Sequence, residues 1–381
     1  MLNHSLRVAA CYSEPMAKRG WEPEKIIRVR ERLLTWYQRS RRDLPWRRSR
    51  NPYSIWVSEI MLQQTRVAVV VERYQAFMER FPTLVALALA PEQEVLAAWS
   101  GLGYYRRARM LHKAAQFVAD HCQGNLPLTA AELRLLPGIG VYTAAAVASI
   151  AHGEPVAVVD GNVERVLCRI EGWKAGSRSG GGYAVRRRSE ELAAKLVDPL
   201  RPGDFNQAMM ELGATLCLPR NPQCLVCPIS DDCKTQGEHE TAPRARMQSR
   251  EVAHALSVRG GEQPGQAHRE VLLEQRPASL SVMPGLWELP LLRETAVPEE
   301  QLRMTLRHAI MQVNYYVRIR TVFEDDIDAL TVRGGERRWL PLQDAARMAL
   351  TGLTRKVLAR THLLTAPALD AMAAEDEENA G

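Results

Sequence analysis

Long apolar runs are missing from this chain of 381 residues. No stretch approaches the roughly 18 consecutive apolar residues that a membrane-spanning helix needs. The N-terminus also lacks the basic, apolar and small-residue segments that together make up a secretory signal peptide. Both absences argue against the membrane and secreted classes of protein, and we therefore expect a cytoplasmic protein.

The charges are mixed, with a moderate basic excess. Lys and Arg number 50 against 44 Asp and Glu, which gives a formal net charge of +6. A hydrophobic content of 46% describes a globular chain, and its length predicts two domains. Arginine pairs such as Arg41-Arg42 and Arg47-Arg48 suit phosphate oxygens, which guanidinium groups bind bidentately. Solvated surfaces are also often rich in arginine, so the basic excess permits a polyanionic partner without establishing one.

The most informative stretch spans 133–165, where an apolar segment runs into a glycine turn and an Ala-rich helix starts near Tyr142. The turn consists of Pro137, Gly138, Ile139 and Gly140. Glycines allow tight backbone turns, and the N–H groups at the start of the next helix suit a phosphate oxygen. Asp160 then precedes Gly161 and Asn162, which open another helical run. The alternative is an ordinary helix–turn–helix with an aspartate N-cap.

A second stretch carries a single carboxylate, Glu59, among apolar residues. Its helix is expected to begin with Asn51 as the N-cap and Pro52 as the first residue. Glu59 either faces solvent or is buried, and burial would raise the pKa of its carboxyl group enough to make it a proton donor near neutral pH. Gln63 and Gln64 follow, and their amides could reach base edges.

Paired tyrosines, Tyr104 and Tyr105, lie beside three arginines in the segment GLGYYRRARMLHKAA. Aromatic rings next to cations suit stacking on bases beside a phosphate backbone. The same residues also occur at the start of any partly buried helix.

Four of the seven cysteines fall within seventeen residues: Cys217, Cys224, Cys227 and Cys233. In a cytoplasmic chain, such a cluster indicates metal ligands more strongly than disulfides. Zinc and a 4Fe-4S cluster both take four thiolates, so the spacing alone leaves the two open.

Composition divides the remainder of the chain. We expect an N-terminal extension over 1–23, a mobile Gly/Ser/Arg-rich loop over 174–188, a polar linker over 236–250 and a disordered acidic tail over 363–381. Helical patterns fill the front part. Strand patterns take over after the linker, at 252–258, 270–276, 286–291 and 314–323, with a final helix region at about 343–361.

The motifs LPWR, NPYSIWVSEIMLQQT, GLGYY, LPGIG, VDGNVERVL and FNQAMMELGA precede the four cysteines in that order. Together they resemble the MutY-type adenine DNA glycosylases of the helix-hairpin-helix, or endonuclease III, superfamily. The resemblance implies a mainly α catalytic region over 24–235, a six-helix barrel with a 4Fe-4S cluster on the cysteine loop 217–233. It further implies an α+β, Nudix-like lesion-recognition domain over 251–362. The Glu-rich magnesium helix of Nudix hydrolases is missing, so we expect no pyrophosphatase activity.

The resemblance also implies the reaction, which is hydrolysis of the N-glycosidic bond of adenine opposite 8-oxoguanine or guanine in double-stranded DNA. By resemblance, Glu59 protonates the departing adenine at N7, and Asp160 stays ionised to stabilise an oxocarbenium-like sugar. Asn162 holds Asp160, and Tyr142 lies beside both acids. The expected enzyme is a monomer that associates with the nucleoid.

The target base must leave the duplex to be reached. By resemblance, Gln64 and Tyr104 wedge into the base stack, and the glycine turn binds phosphates. The candidates for the adenine pocket are Trp46, Arg47, Gln207 and Glu211. Trp46 is alternatively a core residue and Glu211 a surface acid.

Two positions distinguish this chain from relatives of the superfamily. Lyase-competent relatives carry a lysine where Tyr142 stands, and a phenol cannot form a Schiff base, so we expect little strand-nicking activity.

In the family, a Phe-Ser-His-type loop after an Arg-His pair recognises 8-oxoguanine. Here His308 is present but the loop is not, and Gln312 or Asn314 would have to substitute. Adenine excision is therefore better supported than discrimination for the oxidised guanine.

Two alternatives remain open at this point. One is an endonuclease III-like lyase acting on oxidised pyrimidines, which Tyr142 and the C-terminal domain disfavour. The other is a non-catalytic damage-binding protein, which the presence of both Glu59 and Asp160 disfavours.

Overall fold

The computed structural model describes residues 21–173, 181–239, 246–260, 269–324, 326, 330 and 334–364. Its helices are α1 (Pro23–Ser40), α2 (Pro52–Leu62), α3 (Val67–Arg80), α4 (Leu84–Leu89), α5 (Glu92–Ala98), α6 (Arg106–His121), α7 (Ala130–Leu133), α8 (Val141–His152), α9 (Gly161–Glu171), α10 (Gly181–Leu196), α11 (Pro202–Thr215), α12 (Leu342–Ala345) and α13 (Gly352–Arg360). Its strands are β1 (Gln248–Leu256), β2 (Val258–Arg259), β3 (Glu270–Gln275), β4 (Trp287–Glu288), β5 (Leu302–Ile310), β6 (Val313–Thr321) and β7 (Arg337–Pro341). Among these residues, none of the helices has the length and apolarity required to span a bilayer.

The chain divides into two compact units, each of which contains two segments of the sequence. Within the described residues, the first unit comprises those of 21–41 and 157–239, and the second comprises those of 42–156 and 246–364. In the first, α1, α9, α10 and α11 pack around a core that includes Leu33, Leu167 and Phe205. In the second, α2 to α8 enclose a separate core.

Helix α2 lies at the centre of the second unit. Asn51 caps it, since its side chain accepts hydrogen bonds from the backbone N–H groups of Tyr53 (2.9 Å) and Ser54 (3.2 Å). Every residue from Tyr53 to Met61 is buried. A helix that is apolar on all sides belongs inside a core, and α2 packs against α3, α6 and α8. The predicted N-cap is confirmed, and Glu59 is placed in the interior.

The C-terminal strands form two sheets within the described residues. In one, β6 lies between β1 and β5, parallel to β1 and antiparallel to β5. In the other, β3 pairs antiparallel with β2, β4 and β7. This mixture of strands and helices after a helical front part confirms the predicted fold class.

Part of the C-terminal region also contributes to the core around α2. Leu286 and Ala349 are buried in that core, and the Tyr105 hydroxyl donates a hydrogen bond of 3.2 Å to the backbone oxygen of Leu350. The Arg109 guanidinium at α6 donates one of 2.6 Å to the oxygen of Pro284. Loops of the C-terminal region thus contact α6 and its N-cap directly.

The sequence patterns were wrong at four places. The loop expected over 174–188 is helical from Gly181, where i,i+4 pairs of Arg186 with Glu190 and Arg187 with Glu191 support α10; residues 174–180 lie outside the described ones. Strand β1 begins at Gln248, inside the expected linker. Strands β5 and β7 were missed, because β5 is interrupted by Arg303 and Arg307 and β7 begins with Arg337 and Arg338, so neither is a continuous apolar run.

The fourth place is the start of the acidic tail. Leu363 and Leu364 are buried against the C-terminal core, so the tail cannot begin before residue 365. The rest of that tail, 365–381, lies outside the described residues, as do residues 1–20 of the expected N-terminal extension.

Candidate active site

Glu59 lies in the last two turns of α2 and is only 5% exposed. The Tyr142 hydroxyl, in the first turn of α8, donates a hydrogen bond of 2.8 Å to Oε2 of Glu59. The packing of α2 against α8 brings these two side chains together although 83 residues separate them. Glu59 is thus a buried acid on a mainly apolar helix, with the Tyr142 hydroxyl among its contacts, and an acid in such a setting suits proton donation to a bound base.

The glycine turn holds the start of α8. Gly138 has a φ of +75°, and a Cβ atom built there would lie 2.5 Å from the Cβ of Met110. Only glycine satisfies both the left-handed conformation and this close approach to α6. Gly140 occupies the N-cap position of α8 and supplies no capping side chain. The first N–H groups of α8 thus lack a capping side chain from Gly140, and the binding of a phosphate oxygen by this turn stays a prediction.

Asp160 belongs to the other unit and is the N-cap of α9, as predicted. Its Oδ1 accepts a hydrogen bond of 2.7 Å from the backbone N–H of Val163. Its Oδ2 accepts one of 3.1 Å from the Asn162 side-chain amide. Both oxygens therefore have a donor, and the N-terminus of α9 adds the favourable field of the helix dipole. These contacts fix the orientation of the carboxyl group.

A chain of contacts fixes Asn162 in turn. The Arg165 guanidinium donates to the Asn162 Oδ1 (2.9 Å) and to the backbone oxygens of Gly213 (2.7 Å) and Cys217 (2.9 Å). A Cβ atom at Gly213 would lie 2.7 Å from the Cβ of Asn162. Because residue 213 is glycine, α11 can approach α9 closely enough for these contacts.

The expected wedge residues both have left-handed backbones. Gln64 has a φ of +58° and Tyr104 one of +46°, and both side chains are exposed. Gln63 is held differently, since its side-chain amide donates a hydrogen bond of 3.2 Å to the Thr143 hydroxyl in α8. Its role at a base edge stays a prediction.

The pocket candidates occupy varied surroundings. Trp46 is buried, with its ring edge-on to Tyr74 at 5.4 Å. Arg47 is half-buried and donates to the backbone oxygen of Arg42. Gln207 and Glu211 lie one turn apart on α11; Gln207 is half-buried, and Glu211 is buried, which excludes a surface acid. A place in an adenine pocket stays a prediction for all four.

His308 lies on β5, directly opposite Tyr315 of β6, and is half-buried. The turn that joins these strands is formed by Met311 and Gln312, with Met311 at a φ of +54° and 70% exposed. Asn314 is only 7% exposed. Of the two polar substitutes named from the sequence, only Gln312 is exposed at the turn.

The four clustered cysteines are unpaired thiols in one loop of the first unit. Burial, together with the neighbouring Cys217, Cys233 and Cys224, raises the pKa of the Cys227 thiol to about 11. The thiols therefore lie within electrostatic range of one another, although within the described residues no three metal-binding side chains converge on the position of one ion. A donor set of four cysteine thiols in one loop suits an iron–sulfur cluster, whose iron atoms stabilise the thiolate form.

Arg169 anchors this loop to α9. It is 2% exposed, and its guanidinium donates to the Cys217 sulfur (3.3 Å) and to the backbone oxygens of Leu218 (2.7 Å) and Pro219 (3.0 Å). The Cys233 thiol donates to the backbone oxygen of Arg169 at 3.3 Å. One residue thus contacts both ends of the cysteine loop.

Comparison with known proteins shows the family of this chain. The model of the HhH-GPD superfamily of base excision DNA repair proteins matches residues 57–193. An adenine DNA glycosylase of Mus musculus is 36% identical over 407 residues, covering 87% of this chain and 77% of that protein. The chain belongs to the adenine DNA glycosylase family. The resemblance inferred from the motifs is thereby confirmed.

Two further matches cover smaller shares of this chain. The adenine DNA glycosylase of Homo sapiens is 40% identical over 342 residues, covering 76% of this chain and 61% of that protein. The chain therefore spans less than two thirds of the length of this human relative. A solved structure of a thermostable thymine-DNA glycosylase is 33% identical with a TM-score of 0.51, covering 56% of this chain and 97% of that one.

The cysteine loop has a match of its own. The model of the iron–sulfur binding domain of endonuclease III covers residues 217–233, from the first of the four cysteines to the last. The prediction of an iron–sulfur cofactor is confirmed, and the zinc alternative is removed.

Sequence reasoning missed several residues that hold the site. Asn206 accepts a hydrogen bond of 3.1 Å from the backbone N–H of Val158, which ties α11 to the segment leading into Asp160. Arg165, Gly213 and Arg107 were also missed as site residues. Asn206 and Gly213 both occur in the motif FNQAMMELGA. The motif was recognised in the sequence, but the contacts of these two residues could not be read from it.

Proposed function

We propose that this protein is a monofunctional DNA glycosylase that hydrolyses the N-glycosidic bond of adenine mispaired with 8-oxoguanine or guanine in double-stranded DNA. The observation that carries the proposal is the buried Glu59 with the Tyr142 hydroxyl on its carboxylate. Family membership supports the same substrate base, since the matched relatives are named adenine DNA glycosylases.

The reaction needs two acids in opposite protonation states. Glu59 donates its proton to N7 of adenine, and the bond between C1′ and N9 breaks with its electron pair going to N9. Asp160, as a carboxylate, stabilises the positive charge that develops on the sugar. A water molecule then adds its oxygen to C1′ and loses a proton, leaving free adenine and an abasic site.

The residues around the acids supply orientation. Asn162 donates to one Asp160 oxygen and the start of α9 to the other, which aims the carboxylate before charge develops. Tyr142 orients Glu59 and cannot form an imine with the opened sugar. The product is therefore an intact abasic strand, with little nicking.

DNA binding is assigned to the turn and to the wedge residues. The turn 137–140 and the start of α8 bind phosphate oxygens, so affinity falls steeply as salt rises. Gln64 and Tyr104 enter the base stack, with Gln63 beside them. Gln207 reads the polar edge of adenine, and the remaining pocket residues are Trp46, Arg47 and Glu211.

Recognition of the opposite base is assigned to the hairpin of β5 and β6, with His308 on its first strand. The turn of this hairpin presents the apolar Met311 and the amide of Gln312. Only the amide can read the polar edge of an oxidised guanine. We therefore expect a smaller preference for 8-oxoguanine over guanine than the Phe-Ser-His-type loop provides.

The 4Fe-4S cluster is assigned to Cys217, Cys224, Cys227 and Cys233. When bound, it crosslinks the loop 217–233 through four iron–thiolate bonds. Arg169 holds the start of that loop through the backbone oxygen of Leu218, and its own backbone oxygen accepts a hydrogen bond from the hydroxyl of Thr235, which follows the loop; both contacts tie the loop to α9, the helix that Asp160 caps.

The test is single-turnover excision from duplexes that contain adenine opposite guanine, adenine opposite 8-oxoguanine, thymine opposite guanine or an oxidised pyrimidine. We expect release of adenine alone, by a monomer, without strand scission until alkali is added. Release of the pyrimidines, or a borohydride-trapped adduct formed as efficiently as by a lyase, would instead support an endonuclease III-like enzyme. Binding without release of any base would support a damage-binding protein.

A further inference from the structure

Two short turns of the second unit have an unusual backbone. Gln64 follows the end of α2 and Tyr104 precedes α6, and both have the positive φ that non-glycine residues rarely adopt. Such conformations persist only where surrounding contacts impose them. Contacts from a neighbouring residue should therefore hold the backbone of both turns in this conformation.

The Arg107 guanidinium contacts the first turn through Nη1. This nitrogen donates hydrogen bonds of 2.8 Å to the backbone oxygens of Ile60 and Met61, and another to the backbone oxygen of Gln63. These carbonyls belong to the last turn of α2 and its C-cap, where a helix leaves its acceptors unpaired and where a cation is favoured.

The same guanidinium contacts the second turn through Nη2. This nitrogen donates to the backbone oxygens of Leu102 (2.8 Å) and Gly103 (3.2 Å), the two residues before Tyr104. It also donates to the Thr65 hydroxyl (2.9 Å), which in turn donates to the oxygen of Leu102 (3.3 Å). One planar group therefore links the residues on both sides of Gln64 to those before Tyr104.

Arg107 also faces the Tyr104 ring. The guanidinium carbon lies 5.5 Å from the centroid of that ring and 5.5 Å from that of Trp99, within the range of a cation–π contact. Burial lowers the pKa of Arg107 to about 10, so the group stays charged at neutral pH. The ring of Tyr104 thus has a fixed cationic neighbour on the protein side.

We propose that Arg107 is a positioning residue that presents Gln64 and Tyr104 to DNA as one rigid wedge. The proposal rests on the function proposed above, in which these two residues enter the base stack. Arg107 acts through them and contacts no substrate. Since Ile60 and Met61 directly follow Glu59, the same guanidinium also fixes the wedge to the helix that carries the acid.

The informative variant is Arg107→Lys. Lysine keeps the charge but offers one ammonium point in place of a planar fork, so it cannot bond both turns at once. Thr65→Val is the milder probe, because it removes the hydroxyl that joins the turns and nearly keeps the volume. Lys113→Gln is the matched control, which removes an exposed charge from the same helix α6.

The first readout is insertion of the wedge, measured as the fluorescence of 2-aminopurine placed at the base step beside the mispair. Unstacking by the wild type raises this fluorescence. We expect Arg107→Lys to lose most of the rise and Thr65→Val part of it, while Lys113→Gln keeps it. A full rise with Arg107→Lys, normalised to folded protein with its visible cluster absorbance, would overturn the proposal.

The second readout is a double-mutant cycle on the single-turnover rate of adenine excision. Misplacing a catalytic arrangement by about 1 Å costs on the order of 100-fold in rate, so we expect Arg107→Lys to slow the wild type by roughly 10- to 100-fold. In a Gln64→Ala/Tyr104→Ala background, the same change should cost about 2-fold or less. An equal loss in both backgrounds would show that Arg107 serves only the fold.

The outcomes separate this proposal from the function it rests on. If the wild type releases no adenine, the proposed function fails, and the fluorescence readout still reports on the wedge. If the wild type releases adenine and the cycle is additive, only the role of Arg107 fails. If Arg107→Lys does not fold, the same double-mutant cycle is measured with Thr65→Val in its place. An equal loss of rate from Thr65→Val in both backgrounds would then overturn the proposal.

Discussion

The surroundings of Glu59 and of Asp160 differ in almost every physical respect. Glu59 lies inside a helix whose residues are buried on all sides, with the Tyr142 hydroxyl as a hydrogen-bond donor. Asp160 lies at the start of a helix, where a backbone N–H and an amide N–H each contact one of its oxygens. The proposed reaction needs two acids in opposite ionic forms, and the two carboxyl groups lie in correspondingly different settings, one in a helix interior and one at a helix start.

The two regions also differ in how they are supported. The buried acid depends on packing of apolar helices, α2 against α3, α6 and α8. The helix-start acid depends on a polar chain that runs from Asn162 through Arg165 to α11 and the cysteine loop. Substitutions around Glu59 should therefore affect the transfer of its proton to adenine. Substitutions around Asp160 should affect the orientation of its carboxylate toward the sugar.

The largest expected effect comes from Glu59→Gln. Glutamine keeps the size and an oxygen for the Tyr142 hydroxyl, but its amide has no acidic proton to give to adenine. General acid catalysis is worth about 10²- to 10⁴-fold, and we expect a loss of roughly 10³-fold in single-turnover excision from an adenine–guanine mispair. Unchanged affinity for the duplex is the control, and a rate within about 3-fold of wild type would remove Glu59 from the mechanism.

Asp160→Asn should have the next largest effect. Asparagine still caps α9 through its Oδ1, so the melting temperature should change little. The negative charge opposite the developing cation is lost, and removal of such an electrostatic partner costs about 10²- to 10³-fold in rate. A large drop in melting temperature together with an unchanged rate per folded molecule would mean that Asp160 only caps the helix.

Gly213→Ala tests the polar support of Asp160. The new methyl group would lie 2.7 Å from the Cβ of Asn162, so α11 and α9 must separate. Overpacking of this kind costs about 1–3 kcal/mol in the free energy of unfolding, measured by denaturant titration. Gly161→Ala is the matched control, because a Cβ atom there meets no atom within 4 Å. Equal stabilities of the two variants would show that the close approach of α9 and α11 is not needed.

The smallest effect is expected from Tyr142→Phe, which removes one hydrogen bond from Glu59 and keeps the ring. A typical net hydrogen bond is worth about 0.5–1.5 kcal/mol, so we expect roughly a 3- to 10-fold slower excision. Tyr53→Phe removes a buried phenol that bonds the backbone oxygen of Phe81 instead, and its rate per folded molecule should match the wild type. If both variants slow excision equally, the Tyr142 hydroxyl has no special role.

The sequence predicted the local features of both regions. The caps at Asn51 and Asp160 and the turn at Gly138 depend on residues within a few positions of each other, and all three appear as expected. The cysteine spacing gave a four-thiolate site, although the choice of cofactor came from resemblance.

The sequence could not predict the long-range support. Arg107 acts on carbonyls up to 47 residues away, and Arg165 on carbonyls 48 and 52 residues away. Arginines are frequent in this chain, and no local pattern separates one that bonds backbone oxygens in the interior from one in solvent. The burial of Glu59 was undecided for a similar reason, since a helix that is apolar on every side has no polar face to compare it with.

The central claim is that Glu59 donates a proton to adenine, whereas Asp160 stabilises the positive charge that develops on the sugar. The most direct test uses a duplex in which the target base is N7-methyladenine, a cationic leaving group that needs no proton at N7. After subtraction of spontaneous base loss, Glu59→Gln should release this base at nearly the wild-type rate, while Asp160→Asn should remain slow. Equal rescue of both variants, or of neither, would contradict the division of roles between the two acids.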